Sequence, residues 1–472
     1  MVSGPQDRLI EQVTARFGAK AVQADRAEIV PWLTDWRGKF HGTSAAILSP
    51  SSTAQAAEMV RLAAEFCVAL VPQGGNTGMV GGATPPEDGS AVILSTRRMN
   101  RIRSLDAEAG VAVVEAGVIL ANLHDAAEAQ GWRFPLTLGS RGSCTIGGLI
   151  ATNAGGTQVL RFGTMRALVL GIEAVLPDGT IHDGLSGLKK DNRGYSFDQL
   201  LAGSEGTLGV ITAAALRLVP AIRNRAVSWL GLRSPTDALS VLRALEKGTT
   251  HVEGFEIVPR DSLELVLKHI PGTRPPLERQ HVWNVLVELT DDGSLQETPE
   301  ALLERLLEPL IDSGLAEDAT IAANEAQAEA LWRIRDSISE AERTEGPTLA
   351  HDISVPVADM PRFMTEAAAE VERAFPGTAA SGFGHLGDGN VHFHVRPATG
   401  ASAEAFAGQS ASITRLVHDL VTAAGGSISA EHGIGQMKRD ELARLAPERV
   451  AHLKAIKQAL DPKGIMNPGK LV

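Results

Sequence analysis

The sequence predicts an α+β protein of two domains followed by a short C-terminal segment. Three observations lead there. The chain has 472 residues, which at about 150 residues per domain suggests two or three domains. Its first half alternates short apolar runs with glycine-rich loops. After Pro220 the texture changes, and strands begin to alternate with longer helices rich in Ala, Leu and Glu. The domains are therefore drawn at 1–220 and 221–425, and 426–472 is expected to pack back onto them because it is too short to fold alone.

The elements follow in chain order. The N-terminal 18 residues, MVSGPQDRLIEQVTARFG, are polar and helix-like, without the apolar stretch of a secretory signal. Residues 52–66 read as an amphipathic helix with Ser51 or Ser52 at its N-cap. CVALVPQGGNTGMVGG (67–82) is a short apolar strand running into a glycine-rich loop. AVILSTRRM (91–99) and VAVVEAGV (111–118) read as strands, and 119–132 as a helix stopped by Gly131. Pro177-Asp178-Gly179 marks the turn of a hairpin over 171–184, and 210–220 closes the half as a strand. Beyond it the strands AVSWLGL, HVEGFEIV and HVWNVLVEL, with helices such as PEALLERLLEPLIDSG, predict helices laid against one antiparallel sheet.

Composition excludes several classes. The net charge of −12, with only 12 Phe, 6 Trp and 1 Tyr, argues against a nucleic-acid partner. Two cysteines, Cys67 and Cys144, are too few for a disulfide scaffold, a four-cysteine zinc site or an iron–sulfur cluster within the chain. A reducing compartment is the simplest expectation, cytoplasmic or matrix-like. No apolar stretch approaches the roughly 20 residues that span a bilayer.

Glycine, 48 of the 472 residues, concentrates in three separated segments of the first half. The loop 72–78, Pro-Gln-Gly-Gly-Asn-Thr-Gly, follows a strand. Successive glycines there let backbone N–H groups converge on an anion such as a pyrophosphate; a plain glycine-rich turn is the alternative. No Lys follows, so it is not a P-loop, and it lacks the G-x-G-x-x-G of a Rossmann turn. The segments 138–163 and 203–212 repeat the pattern. Three such loops suit a long ligand threaded between backbones better than a single phosphate.

The second half carries GFGHLGDGNVHFHV (382–395), a hairpin turning at Gly387-Asp388-Gly389-Asn390. His385 lies on one strand and His392 and His394 share a face of the other, so the hairpin can bring His385 across from His392. Glu431 and His432 follow in AEHGIG. Two imidazoles and a carboxylate form a common divalent-metal shell with positions left for substrate; the alternative is that each His is a packed core or turn residue. ALWRIRDSISEAER (330–343) reads as one helix with Arg335 and Ser339 four apart on one face. An Arg there would clamp a carboxylate, or simply line a solvated face.

Taken together, VPQGGNTGMVGG, the TIGGLIATNAGG–RFGT run, KDNRGY (190–195), GSEGTLGVIT and the terminal NPGK resemble the vanillyl-alcohol-oxidase type of flavoenzymes over nearly the whole chain. GHLGDGNVH and AEHGIG resemble its D-2-hydroxyacid dehydrogenase branch, which includes D-2-hydroxyglutarate and D-lactate dehydrogenases. The resemblance implies a two-part FAD-binding domain and an α+β substrate, or cap, domain. It implies FAD contacts at Pro72, Gln73, Gly74, Gly75, Asn76, Thr77, Gly139, Ser140, Thr145, Gly148, Asn153, Gly155, Gly163, Gly209, Ile211 and Asn467. No His lies in 67–82, so the FAD is expected to be non-covalent. It also implies a divalent metal on His385, His392 and Glu431, with Zn²⁺ expected first and Mn²⁺ or Fe²⁺ as alternatives, and His432 as catalytic base. The substrate-binding set is Arg335, Ser339, Asn390 and His394.

The implied reaction is oxidation of a D-2-hydroxy acid to the 2-oxo acid, hydride passing from C2 to flavin N5 and electrons leaving to an external acceptor. An electron-transfer flavoprotein, a quinone and a cytochrome are the candidates, and a homodimer is expected as the commonest soluble assembly. Two departures bear on the substrate. Many relatives have Lys where Ala350 stands, and the hydroxyglutarate enzymes have Asn where His394 stands. A flavin oxidase acting on another alcohol or sugar, and a metal-dependent hydrolase without redox chemistry, are the competing readings.

Overall fold

The computed structural model describes residues 4–188 and 190–472, and the chain divides into two compact units. The first comprises 1–156, 163–221 and 431–472; the second comprises 157–162 and 222–430. The N-terminal helix expectation is met over Pro5–Phe17, and residues 1–3 lie outside the described residues.

The first unit carries two main sheets. Ile47–Leu48, Ala91–Ser95 and Ala69–Gln73 pair in parallel, with Val22–Gln23 antiparallel at the edge. The helix Thr53–Phe66 covers this sheet; the Ser52 side chain caps it by accepting from the Gln55 N–H. Its Ala56, Met59, Val60 and Ala63 are buried against Leu48, Leu70, Val92 and Leu94. The other sheet is antiparallel, in the order Ile102–Asp106, Val111–Glu115, Val210–Arg217, Val169–Val175, Ile181–Asp183. The hairpin turns at Gly179, whose φ of 83° a side chain would resist. Residues from Glu431 onward complete this unit, with Leu70 N–H donating to Ile465 O and Asn467 N–H to Leu70 O.

The second unit is a seven-stranded antiparallel sheet. Its order is Asp318–Ile321, Asn224–Leu232, Trp283–Asp291, Val252–Pro259, Thr378–His385, Asn390–Pro397, Leu349–Ser354. Alternation sorts the side chains. On one face Trp229, Val258, Leu286 and Phe383 pack with Leu331, Ile334, Ile338 and Ala341 of the helices Glu325–Asp336 and Ile338–Glu345. Those two helices replace the single helix expected over 330–343; the chain breaks at Ser337. Residues 157–162, drawn in the first domain from sequence, belong to this unit, where Arg161 donates to Glu253 Oε2 (3.2 Å) and Thr290 Oγ1 (2.8 Å). Residues 426–430 also belong here rather than with the C-terminal segment. Among the described residues no helix is long and apolar enough to cross a membrane.

Candidate active site

The first unit encloses a cavity of about 620 Å³. Three walls come from the three glycine-rich segments. Residues 72–77 supply one; Gly139, Ser140, Thr145, Gly148 and Gly155 a second; Gly209 and Ile211 a third. The glycines at the first wall are required by packing. A Cβ on Gly74 would lie 2.1 Å from Thr145 Oγ1, and one on Gly75 would lie 1.9 Å from Ser143 O. The two segments thus approach one another with no room for a side chain between them. Asn76 takes a left-handed φ of 54° and donates its Nδ2 to Thr34 O at 2.9 Å, fixing the turn. Thr145 Oγ1 is buried at the cavity wall without a hydrogen-bond partner. Cys144 is buried there too, and burial raises its thiol pKa, which suits a packing residue.

Three of the expected contacts shape the cavity from outside its lining. Asn153 ends the helix Ile146–Thr152 in a left-handed turn and accepts the Arg166 N–H at 2.9 Å. Gly163 has a φ of 76°, and a Cβ there would lie 2.7 Å from the Ala167 Cβ. Asn467 donates its Nδ2 to Gly82 O (3.0 Å) and Glu205 O (2.6 Å), so it ties two wall segments together. Gln73 lines the cavity but spends its Nε2 on Trp32 O (3.0 Å) and Ala83 O (2.9 Å). Glu431 and His432 line the same cavity, half-buried. So do Trp36, Thr96 and Glu205, which sequence reasoning did not single out.

In the second unit, the face that buries Phe383 becomes polar toward the hairpin. Register places Phe383 opposite His392 and His385 opposite Asn390, so His385 and His392 meet diagonally and not directly across as the spacing had suggested. Their rings lie 5.4 Å apart at 79°. Next along the face, Glu256 pairs with His385 in register; its Oε1 sits 2.6 Å from His385 Nδ1 and its Oε2 accepts Arg335 Nε–H at 2.7 Å. Burial alone would push the Glu256 carboxyl up; its interactions with His385 and Arg335 outweigh that and hold it below the ordinary carboxylate value. Burial lowers His392 well below the ordinary imidazole value, with His385 and Arg335 acting in the same direction, so its ring is neutral near pH 7. A neutral imidazole is a ligand, and a carboxylate on the far nitrogen of His385 orients that ring for the same task.

The remaining substrate candidates differ in setting. Arg335 is buried beside the Phe383 ring, its guanidinium carbon 5.1 Å from the centroid, and it commits only Nε to Glu256. Ser339, beyond the break at Ser337, is exposed. Asn390 donates Nδ2 to Asp352 Oδ1 (3.0 Å) and Ile353 O (2.9 Å), while its buried Oδ1 has no partner. His394 pairs through Nδ1 with Glu342, and Ala350 lies opposite it in the sheet. Sequence reasoning missed Glu256 and Glu342, both buried acids, and only the first stands in a segment whose composition marks it for burial. Every residue of Val252–Pro259 is buried, and a carboxylate in such a strand demands a partner.

The family described as FAD linked oxidases, C-terminal domain, matches residues 222–471, and the FAD binding domain family matches 44–184. The chain is 38% identical over 457 residues to the mitochondrial D-2-hydroxyglutarate dehydrogenase of Bos taurus, spanning 96% of this chain and 81% of that one. The chain belongs to the FAD-linked D-2-hydroxyacid dehydrogenases. This FAD-linked dehydrogenase is also 36% identical over 460 residues to the mitochondrial D-2-hydroxyglutarate dehydrogenase of Arabidopsis thaliana, covering 97% and 80% of the two chains. It is 35% identical over 459 residues to a putative mitochondrial D-lactate dehydrogenase of Schizosaccharomyces pombe, covering 95% and 85%. Its two-domain fold is that of the vanillyl-alcohol-oxidase type: p-cresol methylhydroxylase, with substrate bound, superposes with a TM-score of 0.72 at 16% identity, over 100% and 97% of the chains. The dehydrogenase is an FAD-dependent oxidoreductase, which sets aside the hydrolase reading. Its cavity fits the cofactor on its own terms: the volume lies in the range of cofactor sites, Gly74 and Gly75 leave a cradle that a Cβ would fill, and Thr145 Oγ1 is a buried polar atom unmatched within the protein.

Proposed function

We propose that this dehydrogenase oxidises a D-2-hydroxy acid to the 2-oxo acid, with FAD held non-covalently in the glycine-walled cavity and a divalent metal held by His385, His392 and Glu431. FAD when bound supplies a two-electron acceptor for the C2 hydride, and the metal supplies Lewis acidity to the substrate hydroxyl. Residues 72–77 bind the pyrophosphate through backbone N–H groups, and Thr145 adds its hydroxyl. Arg335, anchored by Glu256 through Nε, presents the rest of its guanidinium to the substrate carboxylate. His432 accepts the hydroxyl proton at a ring nitrogen; an imidazole does this near neutral pH. Glu256 holds His385 so that its other nitrogen is available as a ligand.

The observation that carries this reading is that Glu431 and His432 line the same cavity as the three glycine-rich walls. Asn390, Ser339 and His394 complete the substrate set. Because Ala350 brings no charge and His394 is engaged with Glu342, the distal end of the substrate is recognised differently here than in the hydroxyglutarate enzymes. Electrons leave to an outside acceptor of the flavoprotein, quinone or cytochrome class, since two cysteines cannot build a cluster. The mitochondrial names of the relatives support a matrix-like compartment, with the cytoplasm as the alternative. The test is a panel of D- and L-lactate, malate and 2-hydroxyglutarate added anaerobically to the purified flavoprotein, followed by turnover with a dye acceptor. D-isomers are expected to bleach the flavin and L-isomers to leave it oxidised; bleaching by neither would sink the assignment.

A further inference from the structure

Glu205 is a buried acid with no assigned task, 8% exposed, on the wall of the cavity that His432 also lines. Both of its oxygens are committed to one short turn. Oε1 accepts the Ile434 N–H at 2.8 Å and Oε2 accepts the Gly435 N–H at 2.7 Å, two and three residues after His432. The turn closes on the carboxylate tightly enough to require glycine. Gly433 has a φ of +83°, and a Cβ there would lie 3.0 Å from Glu205 Oε1. Gly435 has a φ of +53°, and a Cβ there would lie 2.3 Å from Val80 O. Val80 O in turn accepts the Gln436 N–H at 3.0 Å, so the turn is gripped on both sides. Glu205 itself is held in a left-handed φ of 53°, with Asn467 Nδ2 donating to its carbonyl oxygen at 2.6 Å. An acid is not needed to satisfy two backbone N–H groups on a surface. Buried here, where desolvation raises its pKa, it offers two diverging acceptors, one to each donor.

We propose that Glu205 is the positioning residue for His432: its carboxylate fixes the turn at 433–435 and thereby aims the imidazole preceding that turn into the cavity. The inference rests on the reading of His432 as the base. A base works only within hydrogen-bond reach of its proton, and a misplacement of about 1 Å costs on the order of 100-fold in rate. Glu205→Gln keeps the volume but turns an amide NH₂ toward one of the two N–H donors. The turn must then shift.

The measurement is single-turnover anaerobic flavin reduction by the best D-2-hydroxy acid, on the holoenzyme, for wild type, Glu205→Gln, His432→Ala and the double variant. Glu205→Gln should keep its full complement of FAD and slow reduction by about 10- to 100-fold, with half-saturation for the acid changed less than about threefold. Because Glu205 acts through His432, the double variant should be no slower than His432→Ala alone; a purely structural role would make the two losses multiply. Multiplying losses, an unchanged rate, or loss of FAD from the Gln variant each overturn the proposal. If His432→Ala itself reduces its flavin at the wild-type rate, the reading of His432 as base falls first, and the two failures are told apart. Should the Gln variant not fold, the same cycle with Gly433→Ala decides, since that methyl presses on Glu205 Oε1 from the turn's side.

Discussion

Replacing Gly75 by alanine perturbs the cavity at its tightest point. The new Cβ would lie 1.9 Å from Ser143 O. An ordinary carbon–oxygen contact is about 3.4 Å, so one of the two loops must retreat by about 1.5 Å, the difference between those distances. The obstacle is a backbone carbonyl, which no rotamer change can move aside. A hydrogen bond of about 2.9 Å does not survive such a shift. Losing one charge-assisted bond to a phosphate costs about 1.5–3 kcal/mol, which is about 10- to 100-fold in FAD affinity. Gly139 is the matched comparison: it lines the same cavity, yet its Cβ would meet nothing within 4 Å. Gly139→Ala should leave the stability of the flavin-free protein within about 0.5 kcal/mol of wild type, whereas Gly75→Ala should lower it. The assay is absorbance or fluorescence titration of the flavin-free protein with FAD, alongside thermal melts. A Gly75→Ala protein that binds FAD as tightly as wild type would refute the assignment of this loop to the cofactor.

Chelation should abolish dye-coupled turnover without bleaching or releasing the flavin, and a divalent metal should restore it; turnover indifferent to the chelator would remove the metal from the scheme. Glu256→Gln leaves Arg335 and His385 without their shared counter-charge, and breaking such a buried pair costs about 3–5 kcal/mol. The wild-type carboxyl is held below its ordinary value, so its contribution is present above the unfolded pKa of about 4.3 and fades as pH falls through the folded value. The gap between wild type and variant in urea midpoint should therefore be wide at pH 7 and shrink only in acid. Lys470 is buried beside Arg439, and burial pulls its ammonium down to about 8. A depressed lysine destabilises the fold where it is charged in both states, below pH 8, and ceases to do so above about 10.4. Lys470→Met should raise the urea midpoint at pH 7, and equal midpoints at pH 7 would contradict the account.

What the sequence disclosed was whatever is decided locally. Turn chemistry is local: Pro177-Asp178-Gly179 turns where its residues say it must, with Gly179 at a φ of 83°, while the second hairpin turns over 386–389, one residue before the expected Gly387-Asp388-Gly389-Asn390, with Gly389 at 82° and Asn390 already in the strand. The glycine-rich walls were legible for the same reason, and so was the cap at Ser52. Register was not local. Whether His385 meets His392 directly or on the diagonal depends on where the hairpin closes, and it closes one pair earlier than the spacing implied. Carboxylates were the least legible. Glu205 meets Ile434, 229 positions away, and Glu256 meets His385, 129 positions away. No window of sequence contains both members of either pair. The break at Ser337 and the excursion of 157–162 follow likewise from tertiary packing, since neither segment holds a Pro or Gly that would announce it.

The first unit is assembled from separated stretches, and its last stretch begins only at Glu431. The clamp at Asn467, which joins Gly82 to Glu205, comes 262 positions after Glu205. On a ribosome adding about 5–20 residues per second, the half-built cavity therefore waits tens of seconds for its own keystone. The cavity cannot be completed while residues 431–467 are still inside the ribosome, and a nick between the two stretches would part the walls from the clamp that ties them.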